Sequence, residues 1–423
     1  MDSDLHSPEG AAPGTAFFAP QVRLVTPEGT AVEIDGKPIA PDIVSATVTL
    51  PVSGVGQLEV VLNNQRHDTN NRPVYPPWRY NKLEALSFGK RVRLDMRYGA
   101  EGWTPMILAR ITDLVFLYPS ASGAQMTLKG EDLASLLKVK PTENIVHPNR
   151  HEMDMVEAEI SAAGAGLTVV GPTPRNTFSE PLATLTHEQA KTHLEFIQSL
   201  ATRMDFEVFM AFDNPDPGTA APNPTEPDAR SVSFHFVPAR SGTLEDMVTL
   251  QWGRDIVEFA PAFKVWDILT GATAGGSVPR GRGSFTATVT AADAINDLHP
   301  APGGPTPINA ATARENAFDE ENRPQENVEQ ISVSNIDEER ARRQAEAKVR
   351  ASARQFLTAE LTTIGFTRLR PGIHVNLEGL YPPFDGIYYV NQTVHSLTAA
   401  GYITKTSLRR PGMLDASGYP AAG

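Results

Sequence analysis

Pro371-Gly372-Ile373-His374-Val375-Asn376-Leu377, then Asp385-Gly386-Ile387-Tyr388-Tyr389-Val390, then Gly401-Tyr402-Ile403-Thr404-Lys405-Thr406-Ser407-Leu408: three times a turn glycine opens a run with apolar side chains at strand spacing. Alternation at period two marks a strand with one buried face, and Asp-Gly is a hairpin signal. Residues 361–410 therefore read as three strands of an antiparallel meander. The first third of the chain echoes it. There Phe88-Gly89 opens Arg91-Val92-Arg93-Leu94-Asp95-Met96-Arg97-Tyr98, a long strand covers 106–118, and Gly123 opens a strand over 124–128. Gly89, Val92, Leu94 and Gly123 are thus the counterparts of the later copy, and the echo predicts two similar small β-barrels in one chain.

Outward from these copies the chain divides. Residues 18–141 read as nearly all strand, with 43–50 and 58–62 alternating between Gly, Pro and Asn turns. A Pro-rich loop around Pro73, Pro76, Pro77 and Trp78 is too long for a simple hairpin. Helical periods appear in 142–250. Thr186 with Gln189 has the form of a capping box, and Ala190, Leu194, Ile197, Ala201 and Met204 follow on one face. Val156 and Ile160 suggest a shorter helix before the strand 167–170, so this part is expected to be an α+β domain with a mobile loop at 214–230.

The second barrel is placed at 251–410, with a linker inserted at 297–333 and a helix at 334–357 capped by Ser334 and Asp337. The stripe Ala341, Ala345, Val349, Ala353 and Phe356 would let that helix approach a sheet or a neighbouring subunit closely. Residues 1–17 are expected to be disordered and 411–423 to form a tail. The fold class is thus mixed β and α+β: two tube-type barrels flanking an α+β domain, with one long helix near the C-terminal barrel.

Composition narrows the function. The 423 residues are 40% hydrophobic and 21% charged, without an apolar run of the roughly 20 residues that span a bilayer, so no membrane anchor is expected. There is no cysteine, which excludes a disulfide framework and any thiolate zinc site. A net charge of -13 disfavours a protein that reads nucleic acid. The acidic start Met1-Asp2-Ser3-Asp4-Leu5-His6 lacks the form of a signal peptide, so synthesis in the cytoplasm is expected.

Candidate chemistry is sparse. His187-Glu188 and His193 invite comparison with a helical zinc motif, but on one helix a separation of six places the two imidazoles about 120° apart. His147 and His151 bracket Pro148 and show no acid partner in sequence. Gly271 and Gly276 have phosphate-loop spacing, with Ser277 where the lysine belongs. Glu131-Asp132 and Glu157/Glu159 are neighbours in sequence, unlike the acids of a glycosidase, which stand on opposite sides of a bond. His395 is read as a strand-end histidine bonded to a carbonyl. No catalytic, cofactor or metal site is expected.

Phe384-Asp385-Gly386-Ile387-Tyr388-Tyr389-Val390, followed by His395, Gly401-Tyr402-Ile403-Thr404 and a final Arg409 or Arg410, resembles the closing pattern of the late control protein D family. Arg370-Pro371-Gly372 before a Val-x-Leu strand and Trp252-Gly253-Arg254 before Ala260-Pro261 fit the same order. These are baseplate hub proteins of contractile phage tails, related to the hub part of type VI secretion spikes. The resemblance implies a homotrimer, an adapter between a six-fold tail tube above and a three-fold spike below, with a central channel for DNA or effector cargo. It marks Gly372, Gly386, Tyr389, His395, Gly401, Tyr402, Thr404 and Arg409 as structural family-motif residues. Type VI spikes continue into a neck and needle, so the spike is expected to be a separate protein beside other baseplate partners, all assembled into a virion tail or tail-like particle. The rival readings are a tail-tip glycan-binding or cell-wall-degrading protein, and a soluble β-rich enzyme.

Overall fold

The computed structural model describes residues 20–414 except 68–71, 84, 99–101, 121–122, 214–230, 240–243, 245–246, 278–283, 296–297, 299–306, 319–325 and 334–335. The expected disordered segment, the loop 214–230, Ser334 and most of the tail lie outside the described residues. Six strands of one large sheet open the fold, with short hairpin strands between them: β1 (Pro20–Val25), β2 (Ile43–Pro51), β3 (Gln57–Asn63), β4 (Arg91–Tyr98), β5 (Thr104–Leu117) and β6 (Gln125–Asp132). Alternation puts Ala46, Val48 and Leu50 of β2, Leu58, Val60 and Leu62 of β3, and Met126 and Leu128 of β6 into one core with Val92 and Leu94 of β4. Each such Val, Leu or Met side chain removed from water stabilises the sheet by about 1.5–3 kcal/mol.

The middle of the chain is α+β, built from β7 (Ile145–Arg150), α1 (Glu152–Ala162), β8 (Thr168–Val170), β9 (Leu182–His187), α2 (His193–Met204), β10 (Phe206–Phe212) and β11 (Val232–Pro238). β7 pairs with β9, and β11 lies between β8 and β10. The capping box is one turn and a half later than the sequence suggests. Thr186 and His187 end the strand paired to β7, while Thr192 and Glu195 cap α2 reciprocally. Gln189 instead takes its amide to Asn144.

Then follow β12 (Val248–Gln251), β13 (Ile256–Phe263), β14 (Gly271–Ser277), β15 (Ser284–Thr290), α3 (Ala291–Ala294), α4 (Ala310–Phe318), β16 (Val328–Val333), α5 (Glu338–Ala353), β17 (Leu357–Ile364), β18 (His374–Glu378), β19 (Gly386–Thr398) and β20 (Gly401–Arg410). The expected linker 297–333 therefore contains a helix and a strand. Helix α5 starts on the Asp337 cap, whose carboxylate accepts the Arg340 amide. It ends before Leu357, which already belongs to β17. β14 lies between β15 and β16, and α5 covers this sheet with Ala341, Ala345 and Val349, all sharing one core with α1 and α2. Among the described residues no helix is long and apolar enough to cross a membrane.

β1 to β6 and six later strands share a twelve-stranded sheet, and neither half closes into a barrel among the described residues. The first half is ordered β1-β4-β5-β6-β3-β2, the second β12-β18-β19-β20-β17-β13, and β2 joins β19. Taken in chain order, each strand of the first half occupies the place of its counterpart in the second. The likeness extends to single bonds. Gly89 donates its amide to Ile111 O and Ile111 donates to Lys90 O, while Gly372 donates to Val390 O and Val390 donates to Ile373 O. A bulge follows at once in both long strands, because pairing skips Thr112 in β5 and Asn391 in β19. One difference stands: β1 runs antiparallel to β4, whereas β12 runs parallel to β18.

Candidate assembly interface

The duplicated halves do not have the same neighbours. β2 is paired on both sides, to β3 and to β19, with Val48 opposite His395 and Leu50 opposite Thr393. Its counterpart β13 has one ladder partner among the described residues, β17, besides a single bridge from Ile256 to Trp252. The counterpart of the β19 segment is 113–118 in and after β5, paired to β6 on one side while β4 stops at Arg110. Among the described residues these two corresponding places, β13 and 113–118, thus have a strand on one side only, as do the outer strands β1 and β12. At the two corresponding places apolar side chains face solvent: Val115 is 52% exposed, Leu117 58%, Val257 61% and Phe263 39%. Open strand edges present unpaired amides and carbonyls and are ready templates for another strand.

Of the motif residues of the C-terminal meander, Gly386, Tyr389, His395, Tyr402 and Thr404 are buried, and Gly372, Gly401 and Arg409 half-buried. Gly89, Gly372, Gly386 and Gly401 have φ of +79°, +87°, +117° and +125°, a region that disfavours other residues, whereas Gly123 has ordinary backbone and opens β6 beside Gln65. Val92 and Leu94 are buried, as are Val375 and Leu377 at the matching places. His395 is fully buried in mid-strand: its Nε2 donates to Leu369 O at 2.9 Å, and its Nδ1 accepts the Tyr402 hydroxyl at 2.7 Å. Burial, reinforced by the Arg370 charge, pulls its pKa down to about 3. Thr404 receives the Phe366 amide. Tyr389 and Arg409 both reach Glu207 of β10, fastening the second half of the sheet to the α+β domain. Burial raises the Glu207 carboxyl, with Arg409 and Tyr389 opposing it.

A cavity of ≈ 290 Å³ lies where Phe209 and Phe212 face Met106 and Arg370. Asp132 is the one carboxylate lining it, and both oxygens are engaged, by the amides of Gly56 at 2.7 Å and Ala134 at 2.9 Å. Burial pushes this carboxyl up to about 7. It serves as a cap for the turn 133–137.

Two histidine readings need correction. His187 and His193 do not share a helix: one ends β9 and the other begins α2, so the 120° argument does not apply, and their rings lie 5.2 Å apart. His147 does have an acid partner, Glu159 of α1. That carboxylate gathers three imidazoles: His147 Nε2 at 2.5 Å from Oε1, with His187 Nδ1 at 2.8 Å and His193 Nδ1 at 2.5 Å from Oε2. Burial pushes Glu159 up, but the hydrogen bonds of His147 and His193 and the charge of His187 outweigh it and hold the carboxyl low. His151 stands apart, at the N-cap position of α1 without a side-chain cap bond. Spacing could not reveal the cluster, since its members come from four elements.

No protein-family model matches the chain, and no curated protein does. Solved structures do match. The 43 kDa tail protein of prophage MuSo2 from Shewanella oneidensis is 14% identical, with a TM-score of 0.56 over 92% of this chain and 98% of that one. A tail protein from Neisseria meningitidis MC58 is 13% identical, with a TM-score of 0.57 over 95% and 100%. The E. coli c3393 protein, described as a component of the type VI secretion system with structural similarity to T4 tail proteins gp27 and gp5, is 12% identical, with a TM-score of 0.50 over 92% and 79%. At such identities the likeness speaks for architecture, and this chain has the fold of phage tail proteins and of a type VI secretion component.

Proposed function

We propose that this chain is a structural baseplate hub of a contractile tail or tail-like injection system, a trimer that joins a six-fold tube to a three-fold spike. The single observation that carries the reading is the pair of corresponding open edges on the duplicated halves. Within one chain β2 pairs with β19; by the same rule β13 of one copy pairs with 113–118 of the next. Register follows from the counterpart bonds. Leu58 corresponds to Ala359 through β6 and β20, Val48 to Pro261, and His395 to Phe116. Pro261 then stands opposite Phe116, Phe263 opposite Leu114, and Lys264 opposite Asp113, an attractive pair. Three chains joined in this way present six similar half-sheets, each a tube-type position.

The same correspondence sets Glu59 of β3 against Glu360 of β17. Each is engaged by the matching residue of the next strand, Lys129 and Ser407. Three copies would place six such carboxylates at equivalent levels, three of them paired with Lys129, a ring whose net negative charge repels passing DNA. Tube, spike and other baseplate proteins are the expected partners, with cargo passing through the centre.

The absence of cysteine makes the test clean. Leu114→Cys with Phe263→Cys in one chain should give covalent trimers under mild oxidation, because directly opposed residues lie about 4.5–5.5 Å apart, within disulfide range. Moving the first cysteine to Val115 should abolish them. A chain that stays monomeric at high concentration and binds polysaccharide would replace the hub with the glycan-binding reading.

A further inference from the structure

We propose that Glu159, His187 and His193 form a structural binding site for a divalent transition metal of the zinc class, with His147 as the outer partner of the carboxylate. One ligand atom from each of the three residues lies within 4.8 Å of the others, and all three residues are buried, as is His147. Imidazole nitrogen with carboxylate oxygen is a donor set for zinc, cobalt, nickel or iron(II), and a poor one for magnesium or calcium.

The protons make the argument specific. His187 Nε2 lies 3.0 Å from Lys191 O, which can only accept, so that nitrogen carries the hydrogen. In a neutral ring Nδ1 is then a lone pair, and it faces Oε2 of Glu159 at 2.8 Å, a second acceptor. Two lone pairs at that distance require a proton or a metal ion between them. A divalent ion fills that place, taking His187 Nδ1, His193 Nδ1 and Oε2, while neutral His147 donates Nε2–H to Oε1. Orientation of a ligand carboxylate by a hydrogen-bonded neighbour is the usual outer-shell device. With metal bonds of about 2.0–2.1 Å the ligand atoms need to stand roughly 3.3 Å apart, so the rings move outward by less than about 1 Å. Phe196 stacks on His147 at 5.5 Å and on His187 at 4.7 Å, which keeps the set dry on that side. A fourth position falls to water.

Such an ion would tie β7, α1, β9 and α2 together at one point, work that a chain without cysteine cannot give to disulfides or thiolate zinc. The competing arrangement is a buried His187 imidazolium paired with Glu159. Tag-free full-length protein, stripped by chelator and dialysed, decides between them. Titrated with Zn2+ it should retain one equivalent per chain through gel filtration. The unfolding midpoint should rise by about 5 °C at a hundredfold excess over Kd. Co2+ in place of Zn2+ should give a visible absorption band. His187→Ala and His193→Ala should lose the retained ion and the metal-dependent shift. If either variant fails to fold, the wild-type titration still decides. Absence of retained Zn2+ and a midpoint indifferent to Zn2+ and chelator would overturn the proposal in favour of the ion pair. So would equal retention by the folded variants.

Discussion

Burial of His395 ties the stability of the meander to pH. Its folded pKa of about 3 lies well below the ordinary value of about 6.5, so its contribution is complete above that value and is lost as pH falls toward 3. At pH 5 the loss is about 2 kcal/mol. Asp132 acts oppositely: with its carboxyl raised to about 7, its contribution is full below about pH 4 and lost as pH rises through 7. The two flatten the wild-type curve, so the difference between proteins is what isolates the histidine. His395→Leu should be less stable at neutral pH, since Tyr402 and Leu369 O lose their partner, yet should lose less between pH 6.5 and 5. Unfolding midpoints across that range check it; parallel curves would refute it. His395 stood out in the sequence as a single residue, and its carbonyl bond was legible there. The Glu159 cluster was not, because His147 and His187 come together only when β7 pairs with β9, and α1 then delivers the acid.

Strands were the legible elements, since alternation survives wherever one face is buried. Val92-Arg93-Leu94 and Val375-Asn376-Leu377 alternate in residue type after glycines of the same left-handed conformation, although the structure buries Arg93 and Asn376 too, Arg93 against Asp95. The stretch 271–277 did not read as a strand for a physical reason. β14 is rich in Gly and Ala, which lack the strand pattern, but a Cβ on Gly276 would stand 2.6 Å from Val333 O. Small residues there and along α5 are what close packing requires. Elements also meet through buried charges: Arg354 and Arg350 of and beside α5 hold Asp205 after α2, and Arg340 holds Glu152 of α1 at 2.7 Å. Glu207 is the comparable joint between β10 and β20. Glu207→Leu leaves the Arg409 guanidinium partly buried without its anion and should cost about 3–5 kcal/mol, whereas Glu207→Leu with Arg409→Met should recover most of it. Denaturant midpoints of the two variants check this, and equal losses would show that the pair does not couple the domains.

At the scale of the whole molecule the duplication was legible as an echo, while its consequence was not, because unpaired edges appear only once every strand has a neighbour. β13 carries Pro261, which withholds a donor, a common guard on an edge that must not pair indiscriminately. Lys264 and Asp113 supply the charge that favours one register. Opposed charges across strands contribute about 0.2–1 kcal/mol and like charges cost a similar amount, so Lys264→Glu should weaken each contact by about 1 kcal/mol, roughly fivefold. A ring repeats that loss three times. Both side chains are exposed, so the isolated chain should keep its stability within about 0.5 kcal/mol. Lys264→Glu should therefore shift trimers toward monomers in light scattering without moving the unfolding midpoint of the monomer. Adding Asp113→Lys should restore the trimer by reversing the pair, and the loss should be largest at low salt, where exposed charges are least screened. Rescue by the double change would place Lys264 and Asp113 opposite each other between subunits; a trimer indifferent to both would mean that β13 and β5 meet something other than a second copy.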